Sequence, residues 1–217
     1  VQTCALPIFY IFLETVSNAE IDWLYRFGAV TAFGMSCGVL GINAAHELGH
    51  RKTKAEQFIS KALLLTSLYM HFFIEHNRGH HVRVSTHEDP ASGRYGENVY
   101  VFFVRSIAGS WMSAWHLEKT RLEGRGLPVI SWRNEMLVYQ LVQIIFLVAI
   151  GMLFGWLTMM CFMGSAFIGI LMLEAVNYIE HYGLERRKSA DRYERVMPVH
   201  SWNSNHSIGR LLLLELS

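Results

Sequence analysis

Six histidines fall in three tight groups, each directly after an apolar segment of the chain. His46 and His50, in HELGH, are four residues apart, so on a helix both imidazoles lie on one face and can grip one ion. His76, His80 and His81, in EHNRGHH, supply a second pair at that spacing and a neighbour that points elsewhere, which lets one short segment feed two ions. His181, in NYIEHYG, adds a single ligand. Neutral imidazole suits iron, zinc, copper or nickel. Polar and ionisable groups beside a membrane core are costly and usually functional. The three groups together therefore predict a metal centre.

Other polar residues adjoin the candidate ligands. Glu47, Glu75 and Glu180 each sit beside a histidine, where a carboxylate either orients an imidazole or pairs with Arg51, Arg78 or Arg186. Asn177, Trp202, Asn203, Asn205 and His206 are candidates to line the site, and His200 and His206 are weaker ligand candidates because Trp and Asn surround them. HELGH also fits the zinc metalloprotease pattern, in which Glu47 would activate water, but that pattern leaves EHNRGHH without a role. His71, His87 and His116 read as structural. Cys4, Cys37 and Cys161 stand alone in apolar runs and read as packing residues, without the paired spacing of a zinc site or redox dithiol.

The elements that must position these groups are membrane helices. The chain has 217 residues, 52% of them hydrophobic, and its mean hydropathy of +0.22 is too oily for a globular surface of that size. From Met136 to Leu173 there is no Asp, Glu, Lys, Arg or His. A single helix of that length would rise roughly 57 Å, nearly twice a bilayer's hydrocarbon core. It must fold as a hairpin, over 136–180, with its turn near Phe154 to Thr158 where Gly151, Gly155 and Trp156 fall.

Phe27 to Ala45 makes a full span, and Phe58 to Ile74 makes either a span or a helix that enters the membrane partway. Ala5 to Leu13 is too short to cross. Between Val82 and Arg133 the chain turns mixed polar and aromatic, with Asp89-Pro90 and Gly93 as turn signals and an amphipathic helix from Val99 to Leu122. This stretch reads as a cytosolic region of one membrane domain covering 1–217, and the fold class is all-α. Basic residues follow three apolar segments, at Arg51 to Lys61, at Arg78 and Arg83, and at Arg186 to Lys188. The positive-inside tendency puts these loops, and the histidines with them, on the cytoplasmic face. A net charge of +1 gives no basic face for nucleic acid.

HELGHR, EHNRGHH, NYIEHYGLERR and HSWNSNH together resemble the membrane-bound alkane 1-monooxygenases, part of the histidine-box diiron superfamily. NYIEHYG is the most specific of these motifs, because related desaturases and sterol-type hydroxylases share histidine boxes but not this run. The resemblance implies two non-haem irons held by His46, His50, His76, His80, His81 and His181 at the cytosolic edge of a bacterial inner membrane. It further implies O2-dependent hydroxylation of the terminal methyl of medium- to long-chain alkanes, taken up through an apolar channel. The electron donor it implies is rubredoxin, fed by its reductase, and the chain itself has no flavin or nicotinamide glycine motif and no iron-sulfur cysteine set. The basic loops Arg51 to Lys54 and Arg186 to Lys188 are the candidate docking surface for such an acidic partner. The family has a third box, of the form RHSDHH, after the apolar segment that follows HSWNSNH. Three further ligands are thus expected past Ser217, and the chain is expected to be a C-terminally truncated piece. A membrane diiron fatty-acyl desaturase or hydroxylase is the runner-up, and a non-catalytic membrane metal-binding chain is the reading from a different class.

Overall fold

The computed structural model describes residues 5–189 and 192–202. It is built almost wholly of helices: α1 (Ala5–Ser17), α2 (Trp23–Gly49), α3 (Lys54–Leu65), a short α4 (Phe72–Glu75), α5 (Val99–Glu123), α6 (Glu135–Phe154) and α7 (Trp156–His181). A two-stranded ribbon, β1 (Lys188–Ser189) against β2 (Arg192–Tyr193), follows α7. Among the described residues α2, α6 and α7 are long and apolar enough to cross a membrane, and the chain is a membrane protein.

Local chemistry sets the helix ends. Asp22 accepts from Leu24 N at 2.8 Å to start α2, Asn98 accepts from Tyr100 N at 2.9 Å to start α5, and Asn134 accepts from Leu137 N at 3.2 Å to start α6. Gly155, at φ +90°, divides the long uncharged run into α6 and α7. A side chain is strongly disfavoured there, so the glycine holds the hairpin turn.

α2 and α7 run parallel and very close. A β-carbon on Gly34 would lie 2.8 Å from Ile168 Cβ and from Ser165 O, and one on Gly38 would lie 2.8 Å from Met172 Cβ. Small residues allow this approach, and packing of this kind replaces the hydrophobic driving force that is absent between helices in lipid. Because the two helices run the same way, their C-terminal ends, with His46 and His181, arrive at the same end of the bundle. Beneath them packs a core of Ile42, Leu64, Tyr69, Ile74, Met136 and Leu173.

The segment from Phe58 to Ile74 is not one span. α3 stops at Leu65, Leu68 adopts the left-handed region at φ +51°, and the chain turns back as α4. Gln143 of α6 accepts from Met70 N at 2.8 Å, which satisfies this buried turn. The amphipathic helix expected at Val99 is α5, with both faces of mixed polarity. Its inward stripe is Phe102, Ser106, Ser110, Ala114, Glu118 and Leu122, while Tyr100, Val101, Val104 and Met112 point outward. Phe102 packs on Tyr178 near the end of α7, with ring centroids 5.1 Å apart, and Glu118 accepts from Glu135 N at the start of α6 at 2.8 Å. Both ends of α5 therefore lie at the histidine end, and the helix crosses it.

Candidate metal centre

α4 runs directly into a π-helical turn, His76–His80, followed by His81–Arg83. The wider turn settles which histidines meet. In a regular α-helix His76 and His80 would share a face, but the π turn brings the residue five positions on beneath the first. His81 Nε2 accordingly lies 3.0 Å from His76 Nε2, and His80 is the neighbour that points elsewhere. This reverses the sequence expectation for His80 and His81.

From the end of α2, His46 and His50 meet that pair. Their Nε2 atoms are 3.2 Å apart, and His50 Nε2 is 3.2 Å from His81 Nε2. One ring nitrogen from each of His46, His50, His76 and His81 lies within 4.8 Å of all the others. Neighbouring nitrogens bound to one ion at about 2.0 to 2.1 Å stand roughly 2.8 to 3.4 Å apart, and opposite ones about 4 Å. The spacing of these donors, and their all-imidazole chemistry, therefore fit a divalent transition metal.

His80 and His181 form a second group, with ring centroids 5.0 Å apart. Each has its Nδ1 engaged. His80 Nδ1 donates to Asp89 Oδ2 at 2.9 Å, and His181 Nδ1 donates to the carbonyl oxygen of His200 at 3.2 Å. These bonds fix the tautomer and leave each Nε2 as the available donor atom. Asp89 is itself buried and accepts from Ser92 Oγ at 2.6 Å and Ala91 N at 3.2 Å.

Electrostatics favour neutral rings in the first group. Burial, and then the neighbouring rings of His80 and His50, push His81 down to about 4. Burial lowers His50 as well, and lowers His76 further with the help of the surrounding histidines. Neutral imidazole is the ligating form. His80 differs: burial pushes it down, but the Asp89 carboxylate overrides this and raises it to about 9.

The carboxylates expected beside the ligands behave individually. Glu47 is exposed, is ion-paired to Arg51 at 2.8 Å, and borders the same cavity as His46 and His50. Glu75 is buried and bonded to Arg83 at 2.9 Å rather than to Arg78, and burial together with Asp89 pushes it up to about 7. Arg78 instead bridges Glu118 at 2.9 Å and Glu135 at 2.6 Å. Arg186 donates to Val82 O at 3.1 Å. Glu180 and Asn177 line the cavity in front of the histidines. Asn177 Nδ2 is 3.4 Å from Oε2 of Glu174, a buried carboxylate that also accepts from Tyr69 Oη at 2.9 Å and Ser106 Oγ at 2.5 Å.

His200 contributes its backbone carbonyl to the site. Its ring is turned away, with Nδ1 accepting from Met197 N at 2.9 Å and Nε2 at 3.3 Å from Glu194. Asn203, Asn205 and His206 lie outside the described residues. His71 is buried against Tyr69, with ring centroids 4.4 Å apart, and His87 is exposed beside Glu185 at 3.4 Å. Cys37 is buried and Cys161 partly so, and both are free thiols.

Asp89 was missed from the sequence because Asp-Pro reads as turn punctuation. Its position nine residues after His80, in a loop that must return to the site, was the available signal. The cavity has a volume of about 690 Å³, with the histidines at one side and Phe72, Val84, Leu173, Val176, Val196 and Met197 as apolar wall.

The fatty acid desaturase family model matches residues 21–217. The chain is 45% identical to alkane 1-monooxygenase 1 of Pseudomonas aeruginosa over 93% of its own length and 53% of that protein's. It is 41% identical to the alkane 1-monooxygenase of Ectopseudomonas oleovorans, over 93% of the chain and 50% of the relative. A xylene/toluene monooxygenase hydroxylase component from Pseudomonas putida is 25% identical over 93% of the chain and 54% of the relative. The chain thus spans about half the length of the curated relatives it matches. With the histidine blocks brought together at the ends of parallel helices and the family model covering nearly the whole sequence, the chain belongs to the fatty acid desaturase family, and within that family it resembles the alkane 1-monooxygenases.

Proposed function

We propose that this chain carries the larger part of the metal centre of a membrane monooxygenase that hydroxylates the terminal methyl of medium- to long-chain alkanes. The observation that carries the reading is the convergence of four imidazoles, with a second pair beside them, on a cavity that also has an apolar wall. His46, His50, His76 and His81 would hold one iron, and His80 and His181 would contribute to a second. Bound iron supplies the activation of O2 with electrons delivered from outside. The protein's own part is to keep the rings of the four-histidine group neutral, to orient His80 through Asp89 and His181 through the His200 carbonyl, and to bury the alkyl chain. An alkane has no polar handle, so the apolar wall must provide its affinity, about 0.8 kcal/mol per methylene.

The exposed basic residues Lys52, Lys54, Arg187 and Lys188 lie in the loops beside the histidine end. They support a cytoplasmic orientation at the inner membrane and an acidic electron donor, rubredoxin with its reductase. The test is the metal content of the purified chain in detergent, with His46→Ala and His181→Ala alongside, followed by octane oxidation with rubredoxin. About two irons per chain, reduced in both variants, with 1-octanol as product, is the expected result. A single zinc lost only in His46→Ala points to a hydrolase-type site, and an alkene product to a desaturase.

A further inference from the structure

We propose that Ser85 is a positioning residue that sets His80 and His181 relative to one another. The inference rests on the reading of those two histidines as metal ligands. Ser85 lies in the left-handed region at φ +56°, a conformation unfavourable for any residue with a β-carbon, and it is buried. Leu68 is its sole non-glycine companion in that region among the described residues.

Every polar group of Ser85 is committed. Its N–H donates to Ser92 Oγ at 2.8 Å, its Oγ donates to the His200 carbonyl at 2.9 Å, and its own carbonyl accepts from Arg186 N at 2.8 Å. Two of these bonds lead to a candidate ligand. Ser92 Oγ donates to Asp89 Oδ2 at 2.6 Å, and the same Asp89 oxygen accepts from His80 Nδ1 at 2.9 Å. The His200 carbonyl that receives the Ser85 hydroxyl also receives His181 Nδ1 at 3.2 Å. One arm therefore runs from the Ser85 amide through Ser92 and Asp89 to His80, and the other from its hydroxyl through His200 to His181.

His80 and His181 come from elements far apart in sequence, so their relative placement needs a common anchor, and both arms begin on this residue. The left-handed backbone aims amide and hydroxyl at the two arms at once. Glycine would adopt that backbone without strain, but it has no hydroxyl for His200. The strain at Ser85 is accounted for by the need for both.

The two arms can be cut separately. Ser85→Gly keeps the amide and removes the hydroxyl, while Ser92→Ala cuts the other arm. The probe is cobalt(II), titrated anaerobically into the metal-free chain in detergent and followed by its visible absorption, with thermal unfolding measured on the same samples. His80→Ala and His181→Ala are run in parallel. The expected result is that Ser85→Gly unfolds at the same or a higher temperature than wild type yet binds the second cobalt about 10- to 100-fold more weakly, with an altered spectrum. Ser92→Ala weakens the same ion, and neither change moves the ion held by the four-histidine group. Wild-type cobalt binding in Ser85→Gly, while His80→Ala and His181→Ala lose the second ion, overturns the positioning role and leaves the ligand reading intact. Loss of both ions together with thermal stability in Ser85→Gly makes the residue merely structural and overturns it too. A second ion that never binds, or that survives both histidine variants, sinks the ligand reading and this inference with it.

Discussion

Asp89→Asn exchanges one oxygen for an amide group and removes the charge that His80 faces. Three donors converge on the native carboxylate: His80 Nδ1 at 2.9 Å, Ser92 Oγ at 2.6 Å and Ala91 N at 3.2 Å. In the metal-free protein Asp89 overcomes the effect of burial and lifts His80 from its ordinary 6.5 to about 9. At about 1.36 kcal/mol per pH unit that difference is worth roughly 3 kcal/mol of folding stability. Breaking a buried charged pair costs about 3 to 5 kcal/mol, which agrees. The sign follows from the direction. A raised histidine pKa means the folded state holds the proton more tightly, so the stabilisation is complete below about pH 6.5 and is lost as pH climbs towards 9. Burial works against ionisation of Asp89, but His80 and Ser92 hold its carboxyl below the ordinary value, so its share is present above about pH 4 and is lost as pH falls further. Chemical unfolding of the metal-free chain in micelles, followed by circular dichroism from pH 6 to 10, measures this directly. Wild type should lose roughly 3 kcal/mol across that range, while Asp89→Asn starts lower and stays nearly level. Parallel curves for the two proteins would refute the assignment of Asp89 as the partner of His80.

Three further perturbations test the frame around the site. Arg105→Gln removes bonds to both Glu97 carboxylate oxygens, to Pro90 O and to Ser92 O, so it should cost about 2 to 3 kcal/mol and speed amide hydrogen exchange across residues 89 to 97. Gly34→Ala places a β-carbon 2.8 Å from Ile168 Cβ and Ser165 O and should lower thermal stability in detergent by about 1 to 3 kcal/mol, whereas Gly28→Ala, with open space around it, should leave it level or raise it. Glu174→Ala strands the hydroxyls of Tyr69 and Ser106 and should destabilise by about 2 to 4 kcal/mol, with Glu174→Gln recovering much of the loss because it still accepts a hydrogen bond; equal losses in the two variants would deny those bonds a role.

The histidine blocks were legible because imidazoles at the ends of apolar runs have no inexpensive structural explanation, and parallel helices bring such ends together. The all-α membrane character followed from the uncharged stretch beginning at Met136, which α6 and α7 now occupy. What escaped the sequence depended on backbone geometry. Whether His80 or His81 joins His76 turns on one extra residue in a helical turn, and an i,i+4 rule assumes a regular helix. The partner of His181 is a carbonyl oxygen, which every residue possesses and no side-chain pattern reveals. The left-handed residues Leu68 and Ser85 carry side chains that give no warning of a turn, so the break after α3 and the anchor beside Asp89 were both hidden. The buried face of α5 was not readable because an amphipathic pattern says which residues share a side without saying whether lipid or protein covers it.

The glycine contacts between α2 and α7 act at a distance. From Gly34 and Ile168 each helix continues roughly 18 to 20 Å, at 1.5 Å per residue, before reaching His46 and His181. The pair works as a fulcrum with two long arms. A change of about 5° in their crossing at the glycines would move the histidine ends by roughly 1.6 to 1.7 Å, several times the tolerance of about 0.2 Å in a metal–ligand distance. Bilayer thickness and lateral pressure, which set how membrane helices tilt, thereby gain mechanical leverage over the spacing between the two histidine groups.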